Sequence, residues 1–139
     1  MGSMMATYVC DSRAVCGNEN FFRGCTGSSC DFSSHGKEAS LLRLVVQCVA
    51  IAFGTSAEHV RHQKRGCAKV ARARQVVAYL MHTGLSLTLS DISVLLGRDR
   101  TTIGHACRMI EDLRDCPDFD HRLLMLEDAI ATIRELLDE

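Results

Sequence analysis

The 139-residue chain is predicted to be all-α, a small helical bundle preceded by an irregular, cysteine-rich arm. Three observations predict it. Apolar residues recur at helical spacing in several successive segments, and glycine or proline closes most of them. Hydrophobic residues make up 47% of the chain with no tryptophan and one proline, which suits helices better than a β-sandwich. The length is one domain's worth, with room for one modest core and a loosely structured extension.

Residues 1–36 are rich in Gly, Ser and Asn and show no sustained period, so they are expected to form an irregular or disordered arm. The arm holds Cys10, Cys16, Cys25 and Cys30, half of the eight cysteines. Cys16, Cys25, Cys30 and His35 are a donor set that suits tetrahedral zinc. Their spacing departs by one residue at each of the last two gaps from a Cys-Cys-Cys-His finger, and there is no Cys-x-x-Cys. Reduced free thiols fit the same residues, and a disulfide framework is disfavoured in a reducing compartment. No cofactor is called for, and zinc stays open as an alternative.

Residues 37–116 are expected to form the main domain. Lys37 to Phe53 is strongly apolar over four to five turns and Gly54 stops it, so it reads as a core helix with neighbours on most sides. At 17 residues it is too short for a confident membrane span, and the N-terminus lacks a signal-peptide hydrophobic region. Thr55 and Glu58 have capping-box spacing and open a short helix to about His62. Gln63 to Lys69 reads as a basic loop, and its glycine permits close approach to a phosphate backbone. A third helix, about Ala71 to His82, buries Val76, Val77 and Leu80 and ends at Gly84. Arg72 and Arg74 stand at its start, where they oppose the macrodipole and suggest an anionic partner.

Leu87 to Arg114 is the most informative stretch. Thr88 and Asp91 form a Thr-x-x-Asp cap ahead of Leu89, Ile92, Leu95 and Leu96. Gly97 supplies a left-handed turn, and Asp99 is placed to cap a second helix through the Thr101 or Thr102 amide. That helix buries Ile103, Ala106, Cys107, Ile110 and Leu113 and leaves Arg100, Thr101, His105 and Arg108 on other faces. Helix, glycine turn and a second helix opening on Arg-Thr-Thr is the layout of a helix-turn-helix DNA reader. Arginine bonds guanine in bidentate fashion, and threonine offers a methyl to thymine and a hydroxyl to base or phosphate. An ordinary helical hairpin with a solvated polar face fits the same spacing.

The runs Val70-Ala71-Arg72-Ala73-Arg74-Gln75, Leu96-Gly97-Arg98-Asp99-Arg100-Thr101-Thr102 and His105-Ala106-Cys107-Arg108 supply a further argument. On these residues, roughly Leu41 to Leu113 resembles the C-terminal DNA-binding domain of the bacterial chromosomal replication initiator DnaA. The resemblance implies a Trp-repressor-like helix-turn-helix fold that binds double-stranded DNA. It implies phosphate contacts by Arg74 and Gln75 and a minor-groove arginine from the basic loop. Gly66 occupies that last position here, with Arg65 beside it. At the reading head the family has Asp-His-Thr-Thr and this chain has Asp99-Arg100-Thr101-Thr102, so a shifted or relaxed base preference is expected. The DNA-binding set is thus Lys64, Arg65, Lys69, Arg72, Arg74, Gln75, Arg98, Asp99, Arg100, Thr101, Thr102, His105 and Arg108. For His105 a supporting role behind the surface is favoured, because it lies one turn beyond the threonine pair.

Residues 117–139 form the last expected unit, a helix of about Phe119 to Leu137. Pro117 breaks the preceding helix, and Asp118 or a neighbour caps this one. Leu123, Leu126, Ile130, Ile133 and Leu137 follow heptad spacing, which fits packing against the chain's own domain or a homodimer interface. The net charge of −1 conceals segregation: Arg61 to Arg100 holds eight basic residues against two acids, and from Thr101 onward ten acids face four arginines. A near-neutral but dipolar chain binds a polyanion with one face.

There is no Gly-x-x-x-x-Gly-Lys-Ser/Thr loop in the sequence and no nucleophile–base arrangement, so neither nucleotide binding nor catalysis is expected. A cytoplasmic, nucleoid-associated DNA binder acting on replication or transcription is the leading reading. Two others stay open: a zinc- or redox-dependent arm that binds single-stranded RNA, and a protein-interaction module that has lost DNA binding.

Overall fold

The computed structural model describes residues 35–62 and 66–138. Among these there are six helices and no strand: α1 (His35–Phe53), α2 (Ala57–Arg61), α3 (Ala68–Thr83), α4 (Leu89–Leu96), α5 (Arg100–Leu113) and α6 (Pro117–Asp138). The cysteine arm, with Cys16, Cys25 and Cys30, lies outside the described residues, and so do Lys64 and Arg65. Of His35 only the backbone is described. No helix of the described part is long and apolar enough to cross a membrane.

α3 is the central element, packed by α1, α2, α4, α5 and α6. Its sequence explains the position: Ala73, Val76, Val77, Ala78, Tyr79, Leu80 and Met81 are all buried, so most of its circumference after the first turn and a half is apolar or small. Leu80 and Met81 meet Ile92, Ile103, Ile110, Leu123 and Ile130 in one core, each fully buried. Burial on this scale contributes about 1.5–3 kcal/mol per large side chain before chain entropy is subtracted. The helix begins three residues earlier than its sequence periodicity suggests, at Ala68, which places Lys69 in its first turn and not in a loop.

α1 buries Val45, Val46, Val49 and Ala50 on one face. The expected surround of neighbours is only partly present, since Ile51 on the opposite face is 78% exposed among the described residues. Gly54, at φ +58°, turns the chain sharply into α2. There the cap is Ser56 and not Thr55: the Ser56 hydroxyl accepts from the His59 amide at 3.2 Å. Two adjacent hydroxyls compete for one cap, and the helix starts one residue later than the Thr55–Glu58 spacing indicates.

α6 continues directly from the reading unit. Pro117 occupies its first position, where a missing N–H costs nothing, and Asp118 and Asp120 lie in the first turn near the positive helix end. Leu123, Leu126 and Ile130 enter the core against α1 and α3. The heptad stripe is therefore taken up within the chain, although Leu137 at its end is 46% exposed. Arg114 ties this arrangement together, donating to Asp120 at 2.7 Å, to Glu127 at 2.9 Å and to the Tyr79 hydroxyl at 2.9 Å. The Tyr79 contact, with Glu127 adding, holds the guanidinium above its ordinary pKa against the desolvation that lowers it. At the other end of α6, Lys37 meets Asp138 at 2.9 Å and holds that carboxyl below the usual range.

Candidate nucleic-acid interface

The reading unit is built by local chemistry. The Thr88 hydroxyl accepts from the Asp91 amide at 3.2 Å, and Asp91 accepts from the Thr88 amide at 3.3 Å, a reciprocal capping box that starts α4. Gly97, at φ +60°, ends α4, and the Arg98 amide donates to the Ser93 carbonyl at 2.9 Å. The link from α3 to α4 is equally fixed: His82 Nδ1–H donates to the Leu87 carbonyl at 2.8 Å, across Ser86 at φ +56°. α5 then docks Ile103, Ala106, Cys107 and Ile110 on α3 and α4 and turns its other faces outward. Burial pushes the Cys107 thiol pKa up, with Glu111 adding, so this cysteine is part of the packing and not a reactive group.

Arg100, Thr101, Thr102 and Arg108 are all exposed on α5. His105 is exposed as well, so it does not pack behind the surface as its position in sequence suggested. Asp99 stands at the N-cap with extended backbone, but its carboxylate makes no cap hydrogen bond, contrary to the expectation for it. It is exposed at the mouth of the helix.

The basic residues upstream are arranged differently. Arg72 donates to Gln75 at 2.8 Å, and both are half-buried. Lys69 is half-buried, its ammonium passing beside Gly54 at the end of α1. Arg74 is turned toward α2 and donates to the backbone carbonyls of Val60 at 2.9 Å, His59 at 2.7 Å and His62. Desolvation, and then the nearby charge of Arg98, lower the Arg74 pKa. Among the described residues no three His, Cys, Asp or Glu side chains are grouped to hold a metal ion.

An outward-facing second helix with a basic, hydroxyl-bearing first turn, held behind a left-handed glycine, defines a helix-turn-helix protein. The model of the family described as bacterial DnaA protein helix-turn-helix matches residues 42–110, and through them the chain belongs to that family. The chromosomal replication initiator protein DnaA of Lachnoclostridium phytofermentans is 31% identical over 96 residues, which are 68% of this chain. The chain spans about a fifth of that relative's length, 21%. A crystal structure of a DNA replication initiation factor superposes with a TM-score of 0.63 at 28% identity, covering 71% of this chain and 30% of that one. The family is one of DNA-binding domains, and the all-α fold agrees with it.

Proposed function

We propose that this protein binds double-stranded DNA in a sequence-dependent manner at sites related to DnaA boxes. By occupying them it regulates replication initiation or transcription, as a cytoplasmic, nucleoid-associated protein. The observation that carries the reading is the exposure of Arg100, Thr101 and Thr102, which open α5 directly after the left-handed turn at Gly97. A recognition helix needs its first turn free to enter a major groove while flanking cations meet the phosphates. α6 meets the first of these needs by packing its apolar stripe on α1 and α3 and leaving the opening turn of α5 exposed.

Arg100 supplies the difference from the family pattern. A guanidinium favours guanine O6 and N7, so the preferred site is expected to differ from a DnaA box at one or two base pairs. Titrating labelled duplexes across a salt series tests the proposal. If n phosphates are neutralised, log affinity falls with log salt at a slope of about −0.9n. A flat salt dependence, or equal affinity for scrambled duplexes at every salt, would sink the reading.

A further inference from the structure

α5 carries a glycine in its second turn, Gly104. Glycine inside a helix lowers its stability relative to alanine, so the position calls for a reason. The backbone does not supply one, because among the described glycines only Gly54 and Gly97 have positive φ. Packing does not supply one either: a Cβ at Gly104 would stand 3.7 Å from Leu89 Cδ1 of α4, an ordinary contact, and would meet no other helix of the described residues within 4 Å. The protein by itself has room for a methyl group here and leaves it unfilled.

The place of that space on α5 decides what it does. Ile103, Ala106, Cys107 and Ile110 form the buried side of the helix. Residues four apart lie one above the other, so half-buried Gly104 stands between Arg100 and Arg108, both exposed, with exposed Thr101 and His105 beside it. A helix that enters a major groove by its first turns brings such positions to the base edges. The outward side of α5 therefore holds a shallow notch, with bare main chain as its floor and the Leu89 methyl as one wall. It fits one small apolar group. Among the groups that base edges present in the major groove, only the C5-methyl of thymine is apolar.

We propose that Gly104 is a specificity-determining position: the missing side chain admits a thymine methyl against Leu89 Cδ1 and the main chain of α5. It rests on the duplex-binding reading above. An added Cβ occupies the same space, so the protein and the base cannot both supply a methyl there.

The test takes the preferred duplex from binding-site selection and replaces each thymine in turn by deoxyuridine, which lacks only the C5-methyl. For the wild type, replacement at one thymine should lower affinity about fourfold, the worth of one buried methyl. In Gly104→Ala the cost at that thymine should vanish or reverse, with deoxyuridine then preferred. The melting temperature of Gly104→Ala should rise, since alanine favours the helix and the space is open, which separates altered reading from misfolding. In Thr101→Ser, which removes the methyl that a neighbouring side chain offers to thymine, the cost at the Gly104 thymine should persist.

A cost that persists in Gly104→Ala, or one that Thr101→Ser abolishes, overturns the proposal. A lowered melting temperature for Gly104→Ala also overturns it, because glycine would then be a packing requirement. Wild-type duplex binding that tolerates deoxyuridine at every thymine defeats this proposal alone. A wild type without salt-dependent duplex binding defeats the duplex-binding reading and this proposal with it.

Discussion

Arg74 and Arg100 show why residue type alone does not assign a role. Both are arginines in a basic region, yet Arg100 is exposed at the start of α5 with no side-chain partner among the described residues, and Arg74 is half-buried with three carbonyls. The macrodipole argument for Arg74 weakens because α3 starts at Ala68, which moves Arg74 into the second turn. Arg100→Ala should relax preference between matched and mismatched duplexes by about 1–3 kcal/mol, the value of a bidentate base contact, while thermal stability stays unchanged. Arg98→Ala should weaken all duplexes alike and make the salt slope shallower by about 0.9, since a phosphate contact carries no base information. If Arg100→Ala instead lowered every affinity equally, Arg100 would be a phosphate contact and the altered-site prediction would fail. The exposed position of Arg100 at the opening of α5 was legible in sequence because its neighbours Asp99, Thr101 and Thr102 are local. The Arg74 anchor was not, because its partners are backbone carbonyls at the end of another helix, and carbonyls leave no sequence signature.

The same division between local and distant holds for the elements. The Thr88–Asp91 box, the Gly97 turn and the buried stripe of α5 all follow from chemistry within a few residues, and each is read correctly from spacing. The start of α3 and the cap of α2 are misread, because Ala68 and Lys69 carry no stop or start signal and Ser56 sits beside an equally good Thr55. The turn between α4 and α5 is the part on which function bears most directly. Gly97→Ala should cost about 1–2 kcal/mol, because φ +60° brings a Cβ against the following carbonyl. Thr88→Ala should cost about 0.5–2 kcal/mol through the lost cap, read as a lower urea midpoint at constant slope. The two differ in what they do to DNA. Gly97→Ala strains the angle at which α5 leaves α4 and should weaken binding even where the protein stays folded. Thr88→Ala acts one helix earlier and should spare affinity.

For the whole molecule, the question is whether α6 belongs to the fold or stands apart from it. The family match ends at residue 110, before α6 begins. The packing does not stop there: Leu123 and Ile130 are each 1% exposed, and Arg114 joins Tyr79 of α3 to Asp120 and Glu127 of α6. Tyr79 and Arg114 are 35 residues apart, so nothing in the sequence pairs them, and the heptad spacing of α6 also fitted a partner chain. Leu123→Ala should therefore destabilise the monomer by about 2–5 kcal/mol, the cost of an unfilled cavity in a packed core. Met125→Ala, at a side chain 62% exposed, should change stability by less than about 0.5 kcal/mol. A dimer held through the Leu123 stripe would make the melting temperature rise with protein concentration, because association stabilises by mass action, and Leu123→Ala would abolish that rise. An internal α6 predicts a melting temperature independent of concentration, and the same cost for Leu123→Ala at micromolar and at millimolar protein.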